Sequence, residues 1–199
     1  HLGIASSVET DELHAVLSEV ASGLSGFALS MTDGSSEKLL ELALKGDLDL
    51  IMIETPAAEP DRLNAWPLFV QRYQFIARGD HRLADRLDAS IADLAEESWI
   101  DCGTESAARL RAAAEAAGIE ISFRHKVSGP RQIERLLLAG LGCTLLPKPM
   151  SLNDQLCSVV LIDDGLIAPV ILAGIAGRQR SPAADAFIRA ARARSWPDR

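Results

Sequence analysis

Hydroxyl-bearing residues stand at four places where a short apolar run gives way to a helix-like one: Ser6-Ser7, Gly34-Ser35-Ser36, Gly103-Thr104 and Ser128-Gly129. Their chemistry is binding. A serine or threonine hydroxyl both donates and accepts, and a helix beginning beside it presents unpaired N–H groups and the positive end of its dipole. In open parallel sheets such junctions line the crevice outside the carboxyl ends of the strands, where ligands settle. Cys102 sits at a strand end next to the third junction, in a position to line the same crevice. The plainer reading makes each hydroxyl only an N-cap and Cys102 a buried thiol.

Catalytic patterns are missing. No Gly-x-Ser-x-Gly elbow surrounds a serine, and the Gly140-Leu-Gly142 pair follows a helix, without the third glycine of a dinucleotide loop. His14, His81 and His125 lack the spacing of a zinc site, and Asp47-Leu48-Asp49 reads as a solvated turn. The expectation is no catalytic residue, no metal and no cofactor. Glu54 ends a strand, and Glu9, Glu37 and Glu105 lie within a turn of the junctions. Facing the crevice, Glu54 would oppose an anionic ligand; Arg72, Arg109, Arg124 and Arg131 are the candidate counter-charges.

The elements that would position these residues alternate. Strand-like runs at Leu2 to Ala5, Phe27 to Thr32 and Leu48 to Ile53 enclose helical spacing from Asp11 and from Ser36, which predicts β-α-β-α-β and a parallel sheet covered by helices. Leu63 to Phe69 and Arg72 to Ala77 are two further strand candidates, and the turn at Gly79-Asp80-His81 suggests a boundary. A second alternation follows. It has a short helix capped by Ser90, a strand at Trp99 to Cys102, an alanine-rich helix to Ala117 and a strand at Ile121 to Val127. From Val127 to Pro147 the chain reads as a helix capped by Ser128 with Pro130 in its first turn. Glycines 140 and 142 stop it, and a buried parallel strand follows at Cys143 to Leu146. Val159 to Ile162 and Pro169 to Ala173 are strands, Gly174 and Gly177 flank a return crossing, and a last helix starts at Ser181-Pro182. The fold class is therefore α/β: two Rossmann-like lobes joined by two crossover strands, with 1–76 and 178–199 in the first lobe and 77–177 in the second.

At 199 residues, 48% apolar and 24% charged, the chain has ordinary globular composition and can bury a sizeable core. A net charge of −8 argues against a broad nucleic-acid-binding face in this segment. No apolar run approaches the ~20 residues that span a bilayer. Three cysteines, odd in number and without a C-x-x-C, suit free thiols in a reducing cytoplasm.

The Ala-Gly-Leu-Gly-x-x-Leu-Leu-Pro run at 139–147 resembles the regulatory domain of LysR-type transcriptional regulators. Leu-Gly-Ile-Ala-Ser-Ser at 2–7, Gly34 to Ile53, Gly-Asp-His-Arg-Leu-Ala at 79–84 and Ile91 to Ile100 extend the resemblance over nearly the whole chain, in the right order. The resemblance implies a periplasmic-binding-protein type 2-like fold with a small-metabolite effector between the lobes. By position it implies effector contacts at Ser6, Ser7, Gly34, Ser35, Ser36, Gly103, Thr104 and Ser128, with Cys102 beside them as a further candidate to line the pocket. It also implies a homodimer or homotetramer, with the helix at 11–22 packed head to tail on the alanine-rich helix of another copy. DNA would be read only by a winged helix-turn-helix expected ahead of residue 1, and no membrane partner is expected. A transporter's solute-binding protein is the alternative with the same fold.

Overall fold

The computed structural model describes residues 1–8, 10–56, 62–103, 105–127, 129–147 and 152–196. In chain order the elements are β1 (Leu2–Ala5), α1 (Glu12–Gly23), β2 (Met31–Gly34), α2 (Ser36–Lys45), β3 (Leu50–Glu54) and β4 (Leu63–Arg78). Then come β5 (Asp88–Ala89), β6 (Ser98–Asp101), α3 (Glu105–Ala116), β7 (Ser122–Lys126), α4 (Pro130–Leu138), β8 (Thr144–Pro147), β9 (Leu156–Leu161), β10 (Ile167–Ile175) and α5 (Pro182–Ala193). The chain divides into two compact units, His1–Gln71 with Ala168–Arg199, and Arg72–Ile167.

The first unit is a mixed sheet in the order β2-β1-β3-β10-β4. β1 pairs in parallel with both β2 and β3, as the alternation predicts, and β10 runs antiparallel to β3. Both faces are covered, which is why β3 reads Leu-Ile-Met-Ile without polar interruption. Leu50 and Leu172 face α1 and α5, packing with Val16, Val20, Phe187 and Ile188. Ile51, Ile53 and Ile171 point the other way, onto Leu39 and Ala43 of α2. Ser35 caps α2 by accepting the Lys38 N–H at 3.2 Å, and Ser181 caps α5 by accepting that of Ala184 at 3.1 Å.

In the second unit, β4 lies between β8 and β9, antiparallel to both, and β5 joins β9 in parallel. β6 and β7 form a separate parallel pair. Phe75 of β4 is fully buried, edge-on to Trp99 with ring centroids 5.9 Å apart. The Ser90 helix start is a capping box: the Asp93 carboxylate accepts the Ser90 N–H at 2.9 Å, and these bonds to Ser90 hold its pKa below the usual aspartate value.

Several expectations need correction. Residues 27–30 are not strand, because β2 begins at Met31, opposite Leu2 where β1 begins, while Phe27 turns into the core beside α1 and α5. Asp33 and Gly34 end that strand. β4 is one strand where two were expected, since Val70 and Gln71 continue the ladder. β8 pairs antiparallel with β4, not as a parallel strand; only Cys143, just ahead of it, makes a parallel bridge, to Trp99. The residue capping α4 is Gly129, at φ 88°, which supplies the non-helical backbone a following proline needs; Ser128 lies outside the described residues. Gly174 is buried inside β10 and marks no crossing. The units divide at 71/72 and 167/168, where the sequence reading puts 76/77 and 177/178, because β4 passes from one unit to the next without a loop.

Candidate functional site

The parallel register brings the first two junctions together. β1 and β2 end level, Ala5 opposite Gly34, so Ser6 and Ser7 emerge beside Gly34, Ser35 and Ser36. The Ser6 N–H donates to Gly34 O at 2.8 Å, and the exposed Ser6 hydroxyl donates to Asp33 Oδ1 at 3.1 Å. Ser35 spends its side chain on the cap. In the ligand-free protein Ser35→Ala is therefore expected to cost about 1 kcal/mol, measured by urea denaturation.

Behind these turns lies a buried polar corner. Ser7 is 2% exposed, Glu54 at the end of β3 is 3% exposed, and Gln71 of β4 is 1% exposed. The Gln71 amide joins the two strand ends, its Nε2 donating to Ser7 O at 2.9 Å and to Glu54 Oε1 at 3.0 Å. Gln71 was not among the candidates. Its signal was available: Phe69, Gln71, Tyr73 and Phe75 alternate along one strand, which places a glutamine where the pattern calls for an apolar side chain.

In the second unit, Cys102 follows β6 and is 4% exposed, with Sγ 2.8 Å from Thr144 Oγ1. Burial pushes its thiol pKa up, and burial does the same to Cys143 and Cys157. All three cysteines are free, as the sequence suggests. Buried neutral thiols react slowly. A thiol reagent at about pH 8 should label Cys157 first, and reach Cys102 and Cys143 only as the chain unfolds; immediate labelling of all three would contradict this burial. Gly103 is exposed, its N–H donating to Asp101 Oδ1 at 2.8 Å. Thr104 lies outside the described residues, as does Glu9.

The other charged candidates are accounted for locally. Arg72 and Arg109 donate to Leu161 O and Ile167 O, and Arg124 and Arg131 are exposed. The His81 ring accepts the Leu83 N–H at Nδ1, so Nε2 carries the proton it gives to Glu97, 3.1 Å away, and His81 packs on Phe75. No group of three potential metal ligands occurs among the described residues. None of the described helices is long and apolar enough to cross a membrane. A hollow of about 360 Å³ in the first unit opens at the opposite, amino ends of β1 and β3, beside Phe27 and Phe187, and holds none of the predicted contacts.

A family model described as the LysR substrate binding domain matches residues 1–196. Among solved structures, the effector binding domain of QuiR in complex with shikimate is 18% identical, with TM-score 0.82 over 96% of this chain and 93% of that one. The regulatory domain of CcmR from Synechocystis PCC6803, in complex with 2-PG, is 19% identical, with TM-score 0.84 over 96% and 94%. HinK, a LysR family transcriptional regulator from Pseudomonas aeruginosa, is 20% identical, with TM-score 0.80 over 96% of this chain and 68% of that one. No curated protein matches the chain.

Proposed function

We propose, from the premise that this chain belongs to the LysR substrate binding domain family, that it senses a small-molecule effector on behalf of a transcriptional regulator. The observation that carries the reading is the polar corner at the strand ends of a unit whose core is otherwise largely apolar. The effector contacts we assign are Ser6, Ser7, Gly34, Ser35 and Ser36 in the first unit, and Cys102, Gly103, Thr104 and Ser128 in the second. A ligand changes the protein's state only if it binds one arrangement better than another, so the effector must discriminate between conformations of the regulator. DNA contact belongs to a separate module of the full protein, in keeping with the net charge of −8 here.

For assembly we assign pairing with a second copy. α1 presents exposed His14, Ser18 and Ala21, and α3 presents exposed Ala108, Ala112 and Ala116, small enough for another helix to approach closely. β2 and β7 are each the outer strand of their sheet.

The test is a thermal-shift screen of metabolites, starting with shikimate, 2-PG and benzoate, because the last is the effector in a BenM complex of the same fold. Specific binding raises the midpoint by mass action. If no compound moves it, and the chain sediments as a monomer, the reading fails.

A further inference from the structure

The Ser7–Glu54–Gln71 corner says which kind of chemical group the effector brings to it, an inference that rests on the effector-sensing reading above. The orientation of the Gln71 amide is settled by its neighbours. Ser7 O and Glu54 Oε1 are both acceptors within 3.0 Å of the same amide atom, so that atom must be the nitrogen; the flipped amide would set oxygen against two oxygens. Gln71 Oε1 is thereby fixed as an acceptor. It is buried and has no hydrogen-bond partner among the described residues. The Ser7 hydroxyl is buried in the same condition.

Buried polar atoms are almost always paired, and two unpaired in one corner call for a group that pairs them. That group must donate, because Gln71 Oε1 can only accept. An oxyanion is the wrong complement: it offers no proton to Gln71, and the Glu54 carboxylate, hydrogen-bonded to the same amide, repels it. A hydroxyl or an ammonium group meets both demands.

We propose that the effector of this chain carries a hydrogen-bond donor, a hydroxyl or an ammonium group, that docks on Gln71 Oε1 and Ser7 Oγ, and that any carboxylate it bears points away from this corner. Gln71 is then a specificity-determining residue, selecting hydroxylated or aminated metabolites over plain acids. Discrimination of this type is strong, because a ligand lacking the donor leaves the protein's buried acceptor unpaired.

The first experiment needs no ligand. Ser7→Ala replaces an unpaired hydroxyl with an apolar side chain and should raise the midpoint of the ligand-free domain by about 2–4 °C; Gln71→Met also removes the donor to Ser7 O and Glu54 Oε1, so it should lower the midpoint and serves in the binding panel. A lowered midpoint in Ser7→Ala would mean that a structural water or the protein itself already satisfies that hydroxyl, and would overturn the proposal. The second is a thermal-shift and calorimetric panel of acids, sugars, amines and amino acids. It contains two matched sets: succinate, malate and aspartate, and benzoate, 3-hydroxybenzoate and shikimate. The donor-bearing members are expected to bind at least about tenfold more tightly than the donor-free ones, and that preference should fall within about twofold in either variant. Equal binding of donor-free acids, or a preference untouched in both variants, overturns the donor assignment and leaves effector sensing standing. A panel without any shift in the wild-type chain counts against effector sensing itself.

Discussion

Gly142→Ala is expected to be the most damaging single-methyl change in this chain, costing about 3 kcal/mol or more from strain and lost pairing together. Gly142 holds φ at 148°, and a Cβ there would stand 2.4 Å from the carbonyl oxygen of Ser98. No flexible side chain can yield, because the obstacle is backbone. That same Ser98 oxygen accepts the Cys143 N–H at 2.9 Å, and Ile100 N–H donates to Cys143 O at 2.8 Å, so β6 is tied to the run leading into β8 at this point. Relieving the clash means pulling the Ser98 carbonyl away and losing the bridge. Gly26→Ala is the matched control, with φ 73° and open space around the position. It should cost only the left-handed penalty, about 1–2 kcal/mol. Urea denaturation of the two variants separates strain from collision; equal losses would show that the Ser98 contact relaxes freely. The glycine pair of the Ala-Gly-Leu-Gly run thus has a structural job. Gly140 turns the chain out of α4 at φ 68°, and Gly142 lets two backbones meet.

Phe75→Ala should cost about 3–5 kcal/mol, and the loss should fall on the second unit. Phe75 is fully buried towards the end of β4, facing Leu145 of β8 on one side and Val159 of β9 on the other. Its ring also contacts Trp99 and His81, so truncation opens a cavity among four neighbours from separate parts of the chain. Collapse is difficult because Leu145, Val159 and Trp99 are held in strand ladders, and the unfilled volume keeps its full penalty. Native-state hydrogen exchange is the suitable measurement, since a chain of two units need not unfold in one step. Amides of β8 and β9 should lose protection, while those of β1 and β3 keep theirs. Equal loss in both units would show that they unfold as one.

Much of the fold is written locally. α2 could be placed from Ser35, the leucines that follow and Gly46, because a cap, an apolar stripe and a left-handed stop are each properties of a few neighbouring residues. α5 is equally plain: Ala184, Phe187, Ile188 and Ala191 share one face at helical spacing and are all buried. The parallel core of the first unit follows from alternating strand and helix patterns, and the family resemblance from the order of short motifs along the chain. The first two polar junctions were also readable, since strand ends and N-caps carry distinctive residue types.

Other features depended on partners far away in sequence. Residues 27–30 alternate like a strand but lie outside β2, whose start is set by where β1 begins. β8 has the composition of a parallel strand and pairs antiparallel, because composition reports burial on both faces and is silent about direction. Gln71 and Glu54 lie 17 positions apart, and Gln71 and Ser7 64. A sequence shows that a glutamine interrupts an apolar face; only the assembled sheet, with β10 between β3 and β4, decides that its nitrogen is consumed by two acceptors and its oxygen left waiting. Short-range chemistry is encoded where it acts, whereas a hydrogen-bonded corner exists only once distant segments have been brought within 3 Å of each other, and that is the work of the tertiary fold.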